Sequence, residues 1–152
     1  MPGDHDSQVQ VRRAAPGDAA LIEALYRELV PWDRNVHVDP KRLAQLQNGH
    51  NHLLVLEING TVCGSAFLTI CLDPMYGFHP YGVVENVIVS ASVRGHGGGR
   101  ALMSAIEGEA RAAGCTKLML LSAATRLDAH QFFLKLGFDG EKKRAFIKYL
   151  NR

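Results

Sequence analysis

Long apolar runs are missing from this chain of 152 residues: no stretch approaches the ~18 consecutive apolar residues of a membrane helix, which excludes a spanning segment. Excess charge is missing too. Seventeen basic against fifteen acidic residues leave a formal charge of +2, too balanced for nucleic acid or a membrane surface as the main partner. Cysteine is sparse and odd in number. Cys63, Cys71 and Cys115 stand in or beside apolar runs, a pattern of reduced buried thiols rather than a disulfide framework, and it points to the cytoplasm. Seven histidines include His50-x-His52, but no Cys, Asp or Glu companions stand at metal-site spacing, so no metal is expected. Internal repeats and low-complexity tracts are absent. Met1 to Gln8 hold two aspartates and no apolar stretch, so they are read as a flexible tail and not as a signal peptide.

What remains is 47% hydrophobic, enough for one domain over residues 9–152 with a single core and no staples. Strands and helices alternate along it. After an opening strand, Asp18 is placed to cap a helix with Leu21, Ile22, Leu25, Leu29 and Val30 at helical spacing, stopped by Pro31. Asp39-Pro40 reads as a cap and first-turn proline, starting a short helix through Leu43 and Leu46 that ends near Asn48-Gly49. Leu53 to Ile58 and Thr61 to Ile70 flank Asn59-Gly60, a pair that tolerates positive φ twice and so predicts a hairpin. The loop from Cys71 to Gly82 is broken by Pro74, Gly77 and Pro80 yet carries Tyr76, Phe78, His79 and Tyr81, which suggests a wall of a pocket.

The most telling segment follows. Val83 to Val89 is a strand, and Arg94-Gly95-His96-Gly97-Gly98-Gly99-Arg100 is a glycine-rich turn that opens a helix. Four glycines in five residues clear side chains from the backbone N–H groups, and the helix dipole aims its positive end at the same spot, so the turn should bind phosphate. A P-loop needs Lys-Ser/Thr after its last glycine, where this chain has Arg100-Ala101; a dinucleotide fingerprint needs a small residue at position 100. Downstream, Leu102, Ala105, Ile106, Glu109, Ala110 and Ala113 follow the helical period up to Gly114, and Lys117 to Ser122 reads as a strand. Thr125-Arg126-Leu127-Asp128 has the form of a capping box for a helix with Ala129, Phe132, Phe133 and Leu136, closed by Gly137, and Ala145 to Leu150 is predicted as a last strand.

Arg94-x-x-Gly97-x-Gly99 resembles the acyl-CoA signature of the GNAT superfamily of N-acyltransferases. Two flanking segments are similar to that family as well. Val9 to Asp18 resembles its opening strand and first helix cap, and Ala129 to Phe138 its closing helix and strand, so the likeness covers roughly residues 9 to 150. It implies the acyl-CoA N-acyltransferase fold: a mixed, twisted α/β (α+β) sheet, mostly antiparallel, with a splayed central parallel strand pair and flanking helices. It also implies acetyl-CoA as cosubstrate and transfer of acetyl to a primary amine of a small molecule. A protein lysine or N-terminus as acceptor, and an acyl-CoA-binding sensor without turnover, are the alternatives.

Carried over by position, the resemblance lays the pantetheine arm along Val87, Ile88 and Val89 and the pyrophosphate on Gly95, His96, Gly97, Gly98, Gly99 and Arg100, with the Arg94 and Arg100 side chains as added charge. An alkylammonium of pKa ~10 must lose a proton before it attacks. Glu85, on the strand at the mouth of the cleft, is the candidate base, with burial expected to help it. A main-chain N–H at Val87 or Ile88 is the candidate donor to the thioester oxygen. The family commonly places a proton-donating tyrosine in the closing helix, where this chain has Phe133, and an asparagine where it has Arg126. His130, Ser122, Tyr149 or water are left as proton donors to the leaving thiolate. The resemblance also implies a homodimer, paired through an exposed sheet edge or the final strand.

Overall fold

The structure, a computed structural model, describes residues 7–151, so most of the tail expected at residues 1–8 lies outside the described residues. Gln8 is tied down: its N–H donates to Asn59 Oδ1 at 2.9 Å and its carbonyl accepts from Asn59 N at 2.9 Å. The chain divides into two compact units, one ending at Leu120 and one beginning at Leu121.

The first unit is a five-stranded sheet with helices. Its elements are β1 (Val9–Arg13), α1 (Ala19–Leu29), α2 (Pro40–Gln45), β2 (Asn51–Ile58), β3 (Thr61–Cys71), β4 (Tyr81–Val89), α3 (Gly98–Ala112) and β5 (Leu118–Leu120). Strands lie in the order β1-β2-β3-β4-β5, antiparallel except for the parallel β4-β5 pair, which is the mixed sheet the sequence suggests. Asn59 and Gly60, with φ of 50° and 80°, make the tight turn between β2 and β3.

Side chains alternate across the strands and build two apolar layers. One face packs Leu53, Val55, Val62 and Ile88 against Ile22 and Leu25 of α1 and Leu43 of α2. The other carries Leu54, Leu56, Leu68 and Val84, all buried, and α3 buries Leu102, Met103, Ile106 and Ala110. A buried side chain of this size contributes roughly 1.5–3 kcal/mol, so the two layers supply most of the driving force.

Local expectations fail in instructive places. Asp18 does not cap α1 with its side chain: its carboxylate turns back to accept from Ala15 N at 2.7 Å and takes a bidentate pair of bonds from Arg12 at 2.8 and 2.9 Å. Leu21, expected on the buried face, is exposed, while Tyr26 joins that face. Asp39 does cap α2, accepting from Lys41 N at 2.8 Å. Leu72, Met75, Tyr76 and Phe78 in the loop after β3 are exposed, so they form no pocket wall here.

In the second unit, α4 spans Leu127–Lys135 and ends at Gly137, whose φ of 95° suits the stop. The expected capping box is not formed. Arg126 stands at the N-cap position, with no side-chain cap bond. Phe133 packs against Phe132 and Phe138 at ring-centroid distances of 5.5 and 6.2 Å. The strand predicted at Ala145 to Leu150 is absent, and Phe146, Ile147, Tyr149 and Leu150 are exposed. A strand exists only through a neighbour's ladder, which alternation within one segment cannot supply.

Candidate active site

Strand β4, which holds the candidate site, loses its parallel partner halfway. β5 ends at Leu120, opposite Val84, and β4 runs on for five residues to Val89. On its other edge the register breaks: Phe67 of β3 faces Glu85, and Ser65 faces Ile88, so two steps along β3 meet three along β4. That extra residue is a β-bulge. Asn86 absorbs it with a φ of 55°, a left-handed conformation that among side-chain-bearing residues asparagine tolerates best.

The bulge turns β4 toward a cavity of about 500 Å³. Val38, Leu43, Leu46, Leu53 and Phe67 make its apolar wall; Tyr26, Asn51 and Asn86 are polar members, and His37, Asp39 and Arg42 bring charge. Phe67 lines this space and pairs across the ladder with Glu85, and directly opposed residues share a face, so Glu85 stands on the cavity side of the sheet. Its side chain is exposed, contrary to the burial expected for it. Burial instead acts on Tyr26, raising its pKa above the usual phenol value, an effect partly offset by the Ser65 and Asn86 side chains turned toward its hydroxyl.

Beyond Val89 the chain makes a short 3-10 turn and reaches the glycine loop. Gly95 and Gly97 have φ of 84° and 80°, and Gly97 caps α3 in the left-handed region. A Cβ built on either would meet no protein atom within 4 Å, so the loop faces open space. Gly98 differs: its Cβ would lie 2.6 Å from Leu56 Cδ2, and only hydrogen fits where α3 meets the sheet. The first helical bond of this turn runs from Ala101 N to Gly97 O at 3.1 Å, so the N–H groups of Gly98, Gly99 and Arg100 precede the helix's own ladder and point out of its N-terminus. These residues fit a diphosphate. Arg94 is engaged nearby: its Nε donates to Val89 O at 2.8 Å and its Nη2 lies 3.5 Å from Glu28 Oε1, so it braces the loop against β4 and α1. His96 and Arg100 are exposed. Val87 and Ile88 are buried.

In the second unit, His130 Nε2 is 2.9 Å from Ala123 O, which fixes a proton on that nitrogen and commits it to the backbone. That bond gives His130 a structural place. Ser122 Oγ is buried without a hydrogen-bond partner. Phe133 is buried and offers no proton.

The model of the acetyltransferase (GNAT) family matches residues 21–138. A curated relative, "IAA acetyltransferase" of Azospirillum brasilense, is 34% identical over 136 residues, covering 86% of this chain and 84% of the relative. The chain belongs to the GNAT acetyltransferase family. Among solved structures, an acetyltransferase of Trypanosoma brucei is 24% identical with a TM-score of 0.75, covering 93% of this chain and all of that one. An aminoglycoside N-acetyltransferase solved in complex with CoA is 19% identical with a TM-score of 0.78, over 99% of both chains. Both show the same fold. A GNAT chain is an acyltransferase with acetyl-CoA as the family's cosubstrate, so the sensor alternative falls away. Among the described residues no helix is long and apolar enough to cross a membrane.

Sequence reasoning named Glu85, the glycine loop and β4 as candidates and did not single out Tyr26, Asn86 or the cavity. One weak signal existed for Asn86: asparagine is depleted in strands, and it interrupts the run Val83 to Val89.

Proposed function

We propose that this GNAT enzyme transfers acetyl from acetyl-CoA to a primary amine of a small molecule held in the cavity beside β4. The observation that carries this reading is the adjacency, on one strand, of the bulge at Asn86, the cavity of about 500 Å³ and the glycine turn after the strand's end. A cavity of that size, walled by α2 and the sheet, suits a small acceptor better than a folded protein's surface lysine.

Bound acetyl-CoA would supply an activated thioester: the acceptor nitrogen bonds to its carbonyl carbon as the C–S bond breaks. The N–H groups of Gly95 to Arg100 would hold the diphosphate, and Val87, Ile88 and Val89 would align the pantetheine arm along β4 beyond β5. Main-chain N–H at Val87 or Ile88 would take up charge growing on the carbonyl oxygen. Glu85, on the cavity face, would receive the ammonium proton directly or through one water. A thiolate of pKa ~8.5 can leave and be protonated by water, which suits a chain with Phe133 in place of the usual tyrosine.

Calorimetry with CoA, followed by thiol release from acetyl-CoA in the presence of an amine panel, tests this. Saturable heat with CoA and amine-dependent thiol release are expected. Amine-independent behaviour, or transfer only to protein substrates, would overturn it.

A further inference from the structure

Resting on that acetyltransferase reading, we propose that the acceptor is a monoamine with an apolar body and that Asn86 seats its nitrogen through the carboxamide oxygen. A left-handed residue in the middle of a strand costs backbone energy that glycine would largely avoid. Asparagine there brings a carboxamide to the cavity.

One hydrogen bond beside it has a fixed direction. Ser65, fully buried, donates its hydroxyl proton to Leu54 O at 3.0 Å. That commits the Ser65 hydroxyl to the backbone, and burial keeps the neighbouring Tyr26 hydroxyl protonated. The Asn86 side chain lies beside the same Tyr26 hydroxyl, where its NH₂ group is the donor half of the carboxamide. An acceptor amine donates N–H, and on Asn86, which lines the cavity one residue from the Val87 main chain, only the carboxamide oxygen can accept it. An amine so held keeps its lone pair for attack.

The charge around the cavity narrows the acceptor further. Asp39 is committed to Lys41 N as the α2 cap, and His37 Nδ1 lies 3.2 Å from Glu23 Oε2. Arg42 has no ion-pair partner among the described residues and adds positive charge. No array of free carboxylates stands ready for several ammonium groups, whereas Phe67, Leu53 and Leu43 offer an apolar bed. A polycation is a poor fit.

The test compares arylalkyl and alkyl monoamines, 2-phenylethylamine among them, with kanamycin as a polycationic probe. It uses the full chain and the variants Asn86→Gly, Asn86→Ala and Tyr26→Phe. Losing one such hydrogen bond corresponds to about tenfold in affinity. Asn86→Gly, which keeps the left-handed backbone, should bind CoA as the parent does, raise the monoamine KM by about tenfold and change kcat less. Tyr26→Phe should move KM the same way by less, and kanamycin should be at least about tenfold poorer in kcat/KM. Asn86→Ala adds backbone strain, so glycine separates the side chain's role from the bulge's. An unchanged KM in Asn86→Gly, preference for kanamycin, or no turnover of any monoamine would overturn the proposal. With CoA heat and thiol release intact, the first two outcomes leave the acetyltransferase reading standing; loss of CoA binding in the parent would sink that reading instead.

Discussion

Gly98 lies where the glycine turn proposed to bind phosphate meets the core, and replacing it with alanine puts both at risk. The added Cβ would stand 2.6 Å from Leu56 Cδ2, closer than any relaxed carbon contact. A flexible side chain could swing away, but Leu56 is fully buried, and the same methyl already lies 3.2 Å from where a Cβ on Gly64 would be. Leu56 is wedged between two glycines. Relief must come from lifting the first turn of α3 off the sheet, at an overpacking cost of about 1–3 kcal/mol. Because the N–H groups of Gly98, Gly99 and Arg100 ride on that turn, a lift also misaligns the proposed anion site. Gly98→Ala should lower the urea midpoint by that free energy divided by an unchanged m-value and weaken CoA binding in calorimetry. Trimming the partner, as Leu56→Ala, opens a cavity that costs about 2–5 kcal/mol alone, yet it makes room for the new methyl. The double variant should therefore be more stable than the sum of the singles by at least ~1 kcal/mol. Additive effects, or a Gly98→Ala protein with unaltered stability and CoA affinity, would refute the wedge.

Glu85→Gln should lower kcat/KM by about 10²–10⁴-fold with CoA affinity unchanged; an unaltered kcat/KM would remove Glu85 as the base. Acid stability follows from carboxylates held below their ordinary range. Hydrogen bonds from Arg12 lower the pKa of Asp18; for Glu109, burial pushes upward but bonds from His52 and Arg13 outweigh it. Depressed carboxylates stabilise the fold above their unfolded values of 3.8 and 4.5, and that contribution drains away as pH falls through the folded values. Thermal midpoints should thus drop below about pH 4.5, and less steeply in Arg12→Gln; a flat acid limb in the parent would contradict it.

Much of the fold was legible because its signals are local. Asn59-Gly60, Asp39-Pro40 and Gly114 declare their turns and caps by what their own backbone can adopt, and the structure places each where the pattern predicts. Asp18 and Thr125 carry equally good local signals and fail. Asp18 is drawn off by Arg12 from β1 and by Ala15, a tertiary competitor stronger than a cap. At the site, the glycine loop was visible as composition, whereas Glu85's exposure, Tyr26 and the cavity depend on which faces meet.

By itself the sequence determined the family, the order of strands and helices up to α4 and the glycine-rich turn, because periodicity, caps and glycine clusters act within a few residues of chain. Only tertiary structure decided that Asn86 absorbs a bulge, that Leu56 is wedged between Gly64 and Gly98, and that Ala145 to Leu150 forms no strand. Each of these is a matter of register or contact between segments far apart in the chain, and no single segment specifies its own partner.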